Sequence, residues 1–504
     1  MLARTLLTLS LTALCGCATT SPVAGQAAAG YAPANIKAPA VQQEFRAMWI
    51  ATVYNIDWPS KAGLPVSRQK AELITMLNKA KGLNMNAVVL QVRPSCDALY
   101  QSAIEPASPW LSGTMGKSPG YDALAFAVAE CHARGMELHA WVNPFRAKTS
   151  EKQVVPASHI TRRQPGWVRS YEGKVWLDPG LPEVRSYSLR VISDIVARYD
   201  IDGIHIDDYF YPYPKNPKAR PIPEFPDATA YRRYGKGQSR GDWRRANINT
   251  FVASMYRSVK AKKPWVKVGI SPFGIWKPGV PSGTRADLDP MNMLYADSRT
   301  WLRNGWLDYL SPQLYWPIKG EQSYSKLIAW WDSQNVKRRH LWPGIASERI
   351  GVKRPASEIG NQIAMARHPR RNSSPGHIHW SAKALMSNKR GVADMLRKNY
   401  YQGAAVVPPI RWVSGTAPAQ PSLKARAEGG SLFIDWIKGS SGSTPARYVV
   451  QTKAGGNWKP ALLISAGRKG MKFDLGREGA PEAIAITPVD RYGNVGKPAV
   501  LGRR

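Results

Sequence analysis

The chain has 504 residues, enough for two or three domains and for one of them to be a full barrel. Its 70 Lys and Arg against 35 Asp and Glu leave a formal net charge of +35, a field that favours polyanionic partners. Beyond the first residues no stretch is apolar for long enough to be a transmembrane helix.

The chain opens as a bacterial export signal. Arg4 supplies the positive charge, and Leu6 to Leu14 form an apolar run too short to span a bilayer. Leu14-Cys15-Gly16-Cys17 then reads as a lipobox, with small Gly16 before the cysteine to be acylated. Residues 1–17 are therefore expected to be a lipoprotein signal peptide, with Cys17 as the lipidated end and membrane anchor. Ala18 follows, not Asp, which fits the periplasmic face of the outer membrane. Residues 18–43 are rich in Ala, Pro, Thr and Gly and are expected to form a flexible tether. In an exported lipoprotein, anionic cell-wall glycan is a more sensible polyanion than nucleic acid, and no nucleic acid partner is expected.

Strand one is Phe45 to Tyr54, followed by a polar and aromatic loop with Asn55, Asp57 and Trp58. Helix one starts near Ser67 as its N-cap, carries Leu73, Met76, Leu77 and Ala80 at helical spacing, and ends at Gly82. Strand two, Asn86 to Arg93, is a continuous apolar run of the kind buried on both faces. A long loop to Gly120 holds Asp97, Tyr100 and Trp110. Helix two, Tyr121 to Ala133, leads through Gly135 to strand three, Glu137 to Asn143. Helix three opens at Pro182 and Glu183. Strand four, Ile201 to Asp208, begins apolar and ends abruptly in two carboxylates and the aromatics Tyr209 to Tyr211. An insertion rich in Pro, Lys and Arg follows over 212–241, then helix four from Asp242. Strands five to eight are Val266–Ser271, Tyr309–Trp316, Leu341–Ala346 and His377–Ser381, with helices around 298–304, 323–334, 356–367 and 391–398.

Eight apolar strands alternating with helices predict an α/β fold, a (β/α)8 TIM barrel over 44–412. A doubly wound dinucleotide fold would need a glycine-rich loop after strand one, and none is there. Near Thr416 the character changes. Short β-like runs separated by turns predict a β-sandwich over 413–504, whose deletion should leave the barrel's chemistry intact. Cys96 and Cys131 fall at opposite ends of a βα layer, on the order of 15 Å apart, so two free buried thiols are expected.

The residues at the strand ends are polar or aromatic where core filling would favour Val, Ile and Leu. Carboxylates, amides and aromatics on one face are what a sugar site needs: rings stack on pyranose faces, amides and Arg bind hydroxyls, and two carboxyls do the acid–base work. Asp207, at the tip of strand four, is the best catalytic candidate. Asp97 and Glu348 are the candidates for its acid–base partner. Asn55, Arg93, Asn143, Arg146, Gln313, Tyr315 and Trp316 are expected to bind substrate, as are Trp49 and Tyr209. His205, two residues before Asp207, points to the same face and could tune it. Asp208 points the other way and is expected to cap the loop or support the site from behind. The histidines show no zinc spacing, no Gly-x-Ser-x-Gly elbow occurs, and neither metal nor cofactor is expected.

Four motifs in order carry a family resemblance. They are Glu44-Phe45-Arg46-Ala47-Met48-Trp49-Ile50-Ala51; Gln91-Val92-Arg93-Pro94 with Asp97-Ala98-Leu99-Tyr100; His139-Ala140-Trp141-Val142-Asn143-Pro144-Phe145-Arg146; and Gly203-Ile204-His205-Ile206-Asp207-Asp208-Tyr209-Phe210-Tyr211-Pro212. Over about residues 43–400 the chain resembles the glycosyl hydrolase-like 10 family, which includes bacterial divisome-localised glycosyl hydrolase lipoproteins. The resemblance implies a (β/α)8 barrel acting on peptidoglycan, particularly glycan strands stripped of stem peptides, with divisome proteins as partners. It also brings Arg46 of the first motif into the expected substrate site. The tail is similar to the last strands of a fibronectin type III module. A distant likeness to the α-amylase clan matches Gly203 and Asp207, but that clan's strand-five Glu has no counterpart. The rival readings are a non-catalytic glycan-binding lipoprotein and an amylase-type α-glucan hydrolase.

Overall fold

The computed structural model describes residues 30–351, 354–368 and 372–504, so the expected signal peptide and Cys17 lie outside the described residues. Eight parallel strands form the centre: β1 (Phe45–Ile50), β2 (Ala87–Arg93), β3 (Glu137–Val142), β4 (Gly203–Ile206), β5 (Lys267–Ile270), β6 (Tyr309–Leu310), β7 in two pieces (His340–Leu341 and Gly344–Ala346) and β8 (Gly376–Trp380). Each pairs with the next in chain order, and β8 pairs with β1. One piece of β7 bonds to β6 and the other to β8. The sheet thus runs round and meets itself in a single segment, broken in its middle by Pro343. Every residue of β1 to β3 is buried, as a strand between a packed interior and an outer helical layer must be.

Alternation sorts the side chains. In β1, Phe45, Ala47, Trp49 and Ala51 point into the barrel, where they pack with Ala87, Val89, Trp141, Tyr309 and Trp342. Met48 and Ile50 point out, into the large core shared with the helices. The helix after β1, Val66–Gly82, buries Leu73, Leu77 and Ala80 as its spacing predicts. It starts one residue before the expected Ser67 cap. Pro65 occupies the N-cap with no side-chain bond, its fixed φ of −53° setting the helix entry instead. Two pieces of the long loops fold in ways their sequences do not announce. Arg146–Lys148, Val168–Tyr171 and Lys174–Leu177 form a small antiparallel sheet after β3, and Ala228–Tyr234 forms a short helix in the insertion.

Beyond the barrel, Ser422–Glu428, Ser431–Ile437 and Gly470–Asp474 make one antiparallel sheet. Pro445–Ala454, Ala483–Asp490 and Ala499–Arg503 anchor the other, with Asn457–Trp458 and Leu462–Ser465 at its far side. Leu432, Ile434 and Trp436 of the first face Tyr448, Ile484 and Ile486 of the second across one core. Part of the expected tether is structured. Tyr31–Pro33 adds to this second sheet beside Ala499–Arg503, where an edge strand offers unpaired backbone groups.

The sandwich sits under the N-terminal ends of the barrel strands. Arg447 donates to Gly135 O at 2.9 Å and pairs with Asp202 at 3.3 Å and Glu137 at 3.6 Å, while Arg491 pairs with Asp200. Cys96 and Cys131 are both buried and free. No helix of the described residues is long and apolar enough to cross a membrane.

Candidate active site

The opposite end of the barrel, where the strands' C-termini open, holds a cleft of about 390 Å³. Its floor is the tip of β4. The β-branched run Ile201, Ile204 and Ile206 needs a strand, and inward alternation from His205 carries Asp207 to the mouth. Asp207 is 4 % exposed and accepts three hydrogen bonds: from Asn143 Nδ2 at 2.6 Å, Trp141 Nε1 at 3.2 Å and the Tyr209 amide at 3.3 Å. Burial raises its pKa, while Arg146 and these donors pull the other way.

Asp208 lines the same cleft, contrary to the expectation that it turns away. β4 ends at Ile206, so strand alternation no longer governs two residues later, and the chain turns Asp208 back toward the opening. It accepts a hydrogen bond from the Tyr213 hydroxyl. Burial and the neighbouring Asp207 carboxylate push its pKa up to about 7, with Tyr213 and Gln313 opposing. Both carboxyls are thus raised by burial, Asp208 further by the Asp207 carboxylate beside it, while Asp207 has three donors and Arg146 opposing its burial.

Asn143 is held in its turn. Its Oδ1 accepts from Gln91 Nε2 at 2.8 Å, and Gln91 Oε1 accepts from the Thr52 and Val53 amides at 3.0 Å. The loop after β1, the interior of β2 and the end of β3 thus position one carboxylate. Below it, polar side chains descend the barrel. Trp49 Nε1 donates to His205 Nε2 at 3.2 Å, with Ser271 Oγ 2.9 Å from the same nitrogen. That makes His205 Nδ1 the protonated nitrogen, donating to the Tyr309 hydroxyl at 2.9 Å. Tyr309 then donates to His139 Nδ1 at 2.8 Å, and His139 Nε2 to Glu137 at 3.1 Å. Burial, then His139, hold His205 well below the usual histidine range, so it supports the cleft floor as a neutral ring.

The walls are aromatic. Trp380 meets Trp49, Trp141 and Tyr315 at ring distances of 6.0, 6.2 and 6.5 Å, and Phe273 meets Trp316 at 5.5 Å. Tyr209 lies under the Arg146 guanidinium at 4.9 Å. Glu348 and Arg349, just past β7, close the far side; burial raises the Glu348 pKa and Arg349 lowers it.

Of the expected site residues, Asp207, Glu348, Trp49, Arg146, Asp208, Tyr209, Gln313, Tyr315 and Trp316 line the cleft, with Asn143 and His205 directly behind. Four others do not face it. Asp97 is fully buried, accepting from Ser95 N at 2.7 Å and Ser108 Oγ at 2.6 Å; it staples the loop after β2 and is not positioned as the acid–base partner. Arg93 sits beyond a register shift in β2 that takes it off the inward alternation, and it pairs with Glu105 at 2.5 Å. Arg46 points outward near the base of the barrel, bound to Glu44 and to Gly403 O. Asn55 ties its loop to Trp110 O at 3.0 Å. The lining residues that sequence reasoning left out of the site include Gln91, Tyr213 and Ser271. Trp380, an aromatic at a strand end, lines the cleft as that position leads one to expect; Tyr213 lay in an insertion whose path no pattern fixes. Among the described residues no group of three His, Cys, Asp or Glu could hold a metal ion.

The family model described as Glycosyl hydrolase-like 10 matches residues 44–358. Glycosyl hydrolase YngK of Bacillus subtilis (strain 168) is 41% identical over 397 residues, covering 76% of this chain and 76% of that protein. Glycosyl hydrolase DigH of Escherichia coli (strain K12) is 35% identical over 366 residues, covering 67% of this chain and 81% of that protein. Among solved structures, the PgaB (BpsB) glycoside hydrolase domain from Bordetella bronchiseptica is similar at 14% identity and a TM-score of 0.45, covering 71% of this chain and 98% of that one. The endo-beta-1,4-mannanase from Thermotoga petrophila is similar at 10% identity and a TM-score of 0.41, covering 92% and 98%.

Proposed function

From membership of the glycosyl hydrolase-like 10 family, to which this chain belongs, we propose that this glycoside hydrolase cleaves peptidoglycan glycan strands freed of their stem peptides. The observation that carries the reading is the pair of adjoining carboxyls, held by different partners, at the mouth of an aromatic cleft. Glycoside cleavage needs one carboxylic acid to protonate the leaving oxygen and one carboxylate at the anomeric centre. Asp208, with a pKa of about 7, supplies the first. Asp207, which accepts from Asn143, Trp141 and the Tyr209 amide beside Arg146, supplies the second. Glu348 lines the same cleft and is left for hydroxyl binding.

Peptide-free strands expose the muramic acid carboxylates and are polyanions. The net charge of +35 and the two arginines on the cleft wall, Arg146 and Arg349, support such a substrate. We further propose that Cys17 carries the lipid anchor to the outer membrane and that the enzyme works at the division site with divisome proteins. A three-strand sheet facing a larger antiparallel one supports a fibronectin type III reading of the tail.

The test is digestion of amidase-treated, peptide-free strands, read by new reducing ends and by mass spectrometry. Wild type is expected to release shortened, hydrated fragments. Asp207→Asn is expected to bind strands and release none. Intact strands from both proteins would overturn the hydrolase reading. A Cys17→Ser variant is expected to leave the membrane fraction; its retention there would sink the anchor.

A further inference from the structure

We propose that the cleft continues into a second glycan-binding groove over Tyr54 and Trp110, so that the enzyme grips a strand well away from the bond it cuts. This rests on the reading of the cleft as a glycan site. Val53 and Ile56 line the cleft; Tyr54, between them in sequence, is turned the other way and is 60% exposed. Its ring meets that of Trp110 at 5.1 Å, and its hydroxyl donates to Thr149 O at 3.4 Å. Trp110 and Thr149 line a separate open groove of about 670 Å³ that runs along Thr149 to Pro156. Tyr54 is thus the bridge between the two hollows.

Three independent features mark this path as a binding surface. First, the backbone is strained to present the ring. Tyr54 and Asn55 have φ of 55° and 52°, a left-handed conformation costly for side chains other than glycine, and Asn55 secures the turn by donating to Trp110 O. Second, exposed apolar residues collect here. Of six large exposed hydrophobic residues among those described, Tyr54, Ile56 and Val154, 87% exposed, lie on this path. Water penalises such a display unless something covers it. Third, among the described residues lining the groove the one ionisable side chain is Lys152, so the groove suits an anionic chain. Two aromatic rings tilted at 60° to each other, beside the amide of Gln153 and a cation, are suited to pyranose rings bearing carboxylates.

The experiment measures binding and turnover of size-fractionated peptide-free strands, long against short. Binding uses Asp207→Asn with and without Tyr54→Ala. Turnover uses wild type, Tyr54→Ala, Trp110→Ala and Tyr54→Phe. The groove predicts that the ratio of long-strand to short-strand affinity, and the same ratio of kcat/KM, falls about tenfold in Tyr54→Ala. Trp110→Ala should lower it likewise, and Tyr54→Phe should restore it by keeping the ring. Unchanged ratios with normal turnover overturn the groove and leave the hydrolase reading standing. Length-dependent binding that needs Tyr54, without turnover by wild type, keeps the groove and removes the hydrolase. Strands neither bound nor cleaved remove both.

Discussion

Asp207 and Asp208 are adjacent in sequence, and the opposite roles proposed for them rest on the difference in their surroundings. Three donors and a guanidinium oppose the upward push of burial on Asp207, while burial and the Asp207 carboxylate together push the Asp208 pKa up to about 7. In the proposed role of proton donor Asp208 must be protonated to work, so kcat/KM is expected to fall as pH rises through about 7. An Asp208→Asn enzyme should lose that limb together with most of its activity, whereas Glu348→Gln should keep it. If Glu348→Gln moves the limb and Asp208→Asn does not, the acid is Glu348. The same group sets a stability trend. Its folded pKa lies above the unfolded value, so its contribution is full below about 4 and is lost as pH rises through about 7. Asp208→Asn should therefore melt higher than wild type at pH 8, and the gap should close below pH 5; equal melting temperatures across that range would contradict the assignment.

The strands carry more than the catalytic tip. Inward positions of β1, β3, β4 and β6 supply Trp49, His139, His205 and Tyr309, joined in one directional chain of hydrogen bonds from the cleft floor to Glu137. A barrel interior could be filled with aliphatic side chains, and here polar rings fill it with every donor matched along this chain. Tyr309→Phe keeps the volume and removes the hydroxyl between two imidazoles. The expected cost is about 1–3 kcal/mol for each nitrogen left unpaired, read as a lower urea midpoint. An unchanged midpoint would mean the chain does not contribute as drawn.

At the scale of the molecule, the sandwich belongs to the barrel. Burial alone would raise the pKa of Asp202, but Arg447, His132 and Arg491 hold it well below the usual carboxylate range, and two of those three come from the sandwich. Glu137 likewise has Lys267 at 3.0 Å and Arg447 at 3.6 Å. Deletion of the tail, expected to leave the barrel's chemistry intact, should nonetheless cost stability, because these interface ion pairs would be lost. Removing one partner of a buried ion pair typically costs about 3–5 kcal/mol. Arg447→Ala in the full chain should show a loss of that order in chemical denaturation, and a chain truncated at 412 should unfold earlier still. A truncated barrel as stable as the whole would show that the interface charges are dispensable.

Local pattern determined a great deal. The short apolar runs, the helices between them and the abrupt acids after Ile206 were enough to place eight strands and to bring Asp207 to the cleft at their C-terminal ends, because burial on both faces and strand alternation are written in neighbouring residues. What the tertiary structure alone decided lies where the chain leaves a regular element or meets a distant part of itself. Asp208 turns into the cleft past the end of β4, Asp97 is drawn under its loop, Arg93 leaves the alternation at a register shift, and Tyr213 arrives from an insertion. Loop paths follow the sum of long-range contacts, for which sequence spacing carries no signal. Nor does spacing tell that Arg447 neutralises carboxylates 245 and more residues away, since a buried charge finds its partner only once the two domains have packed.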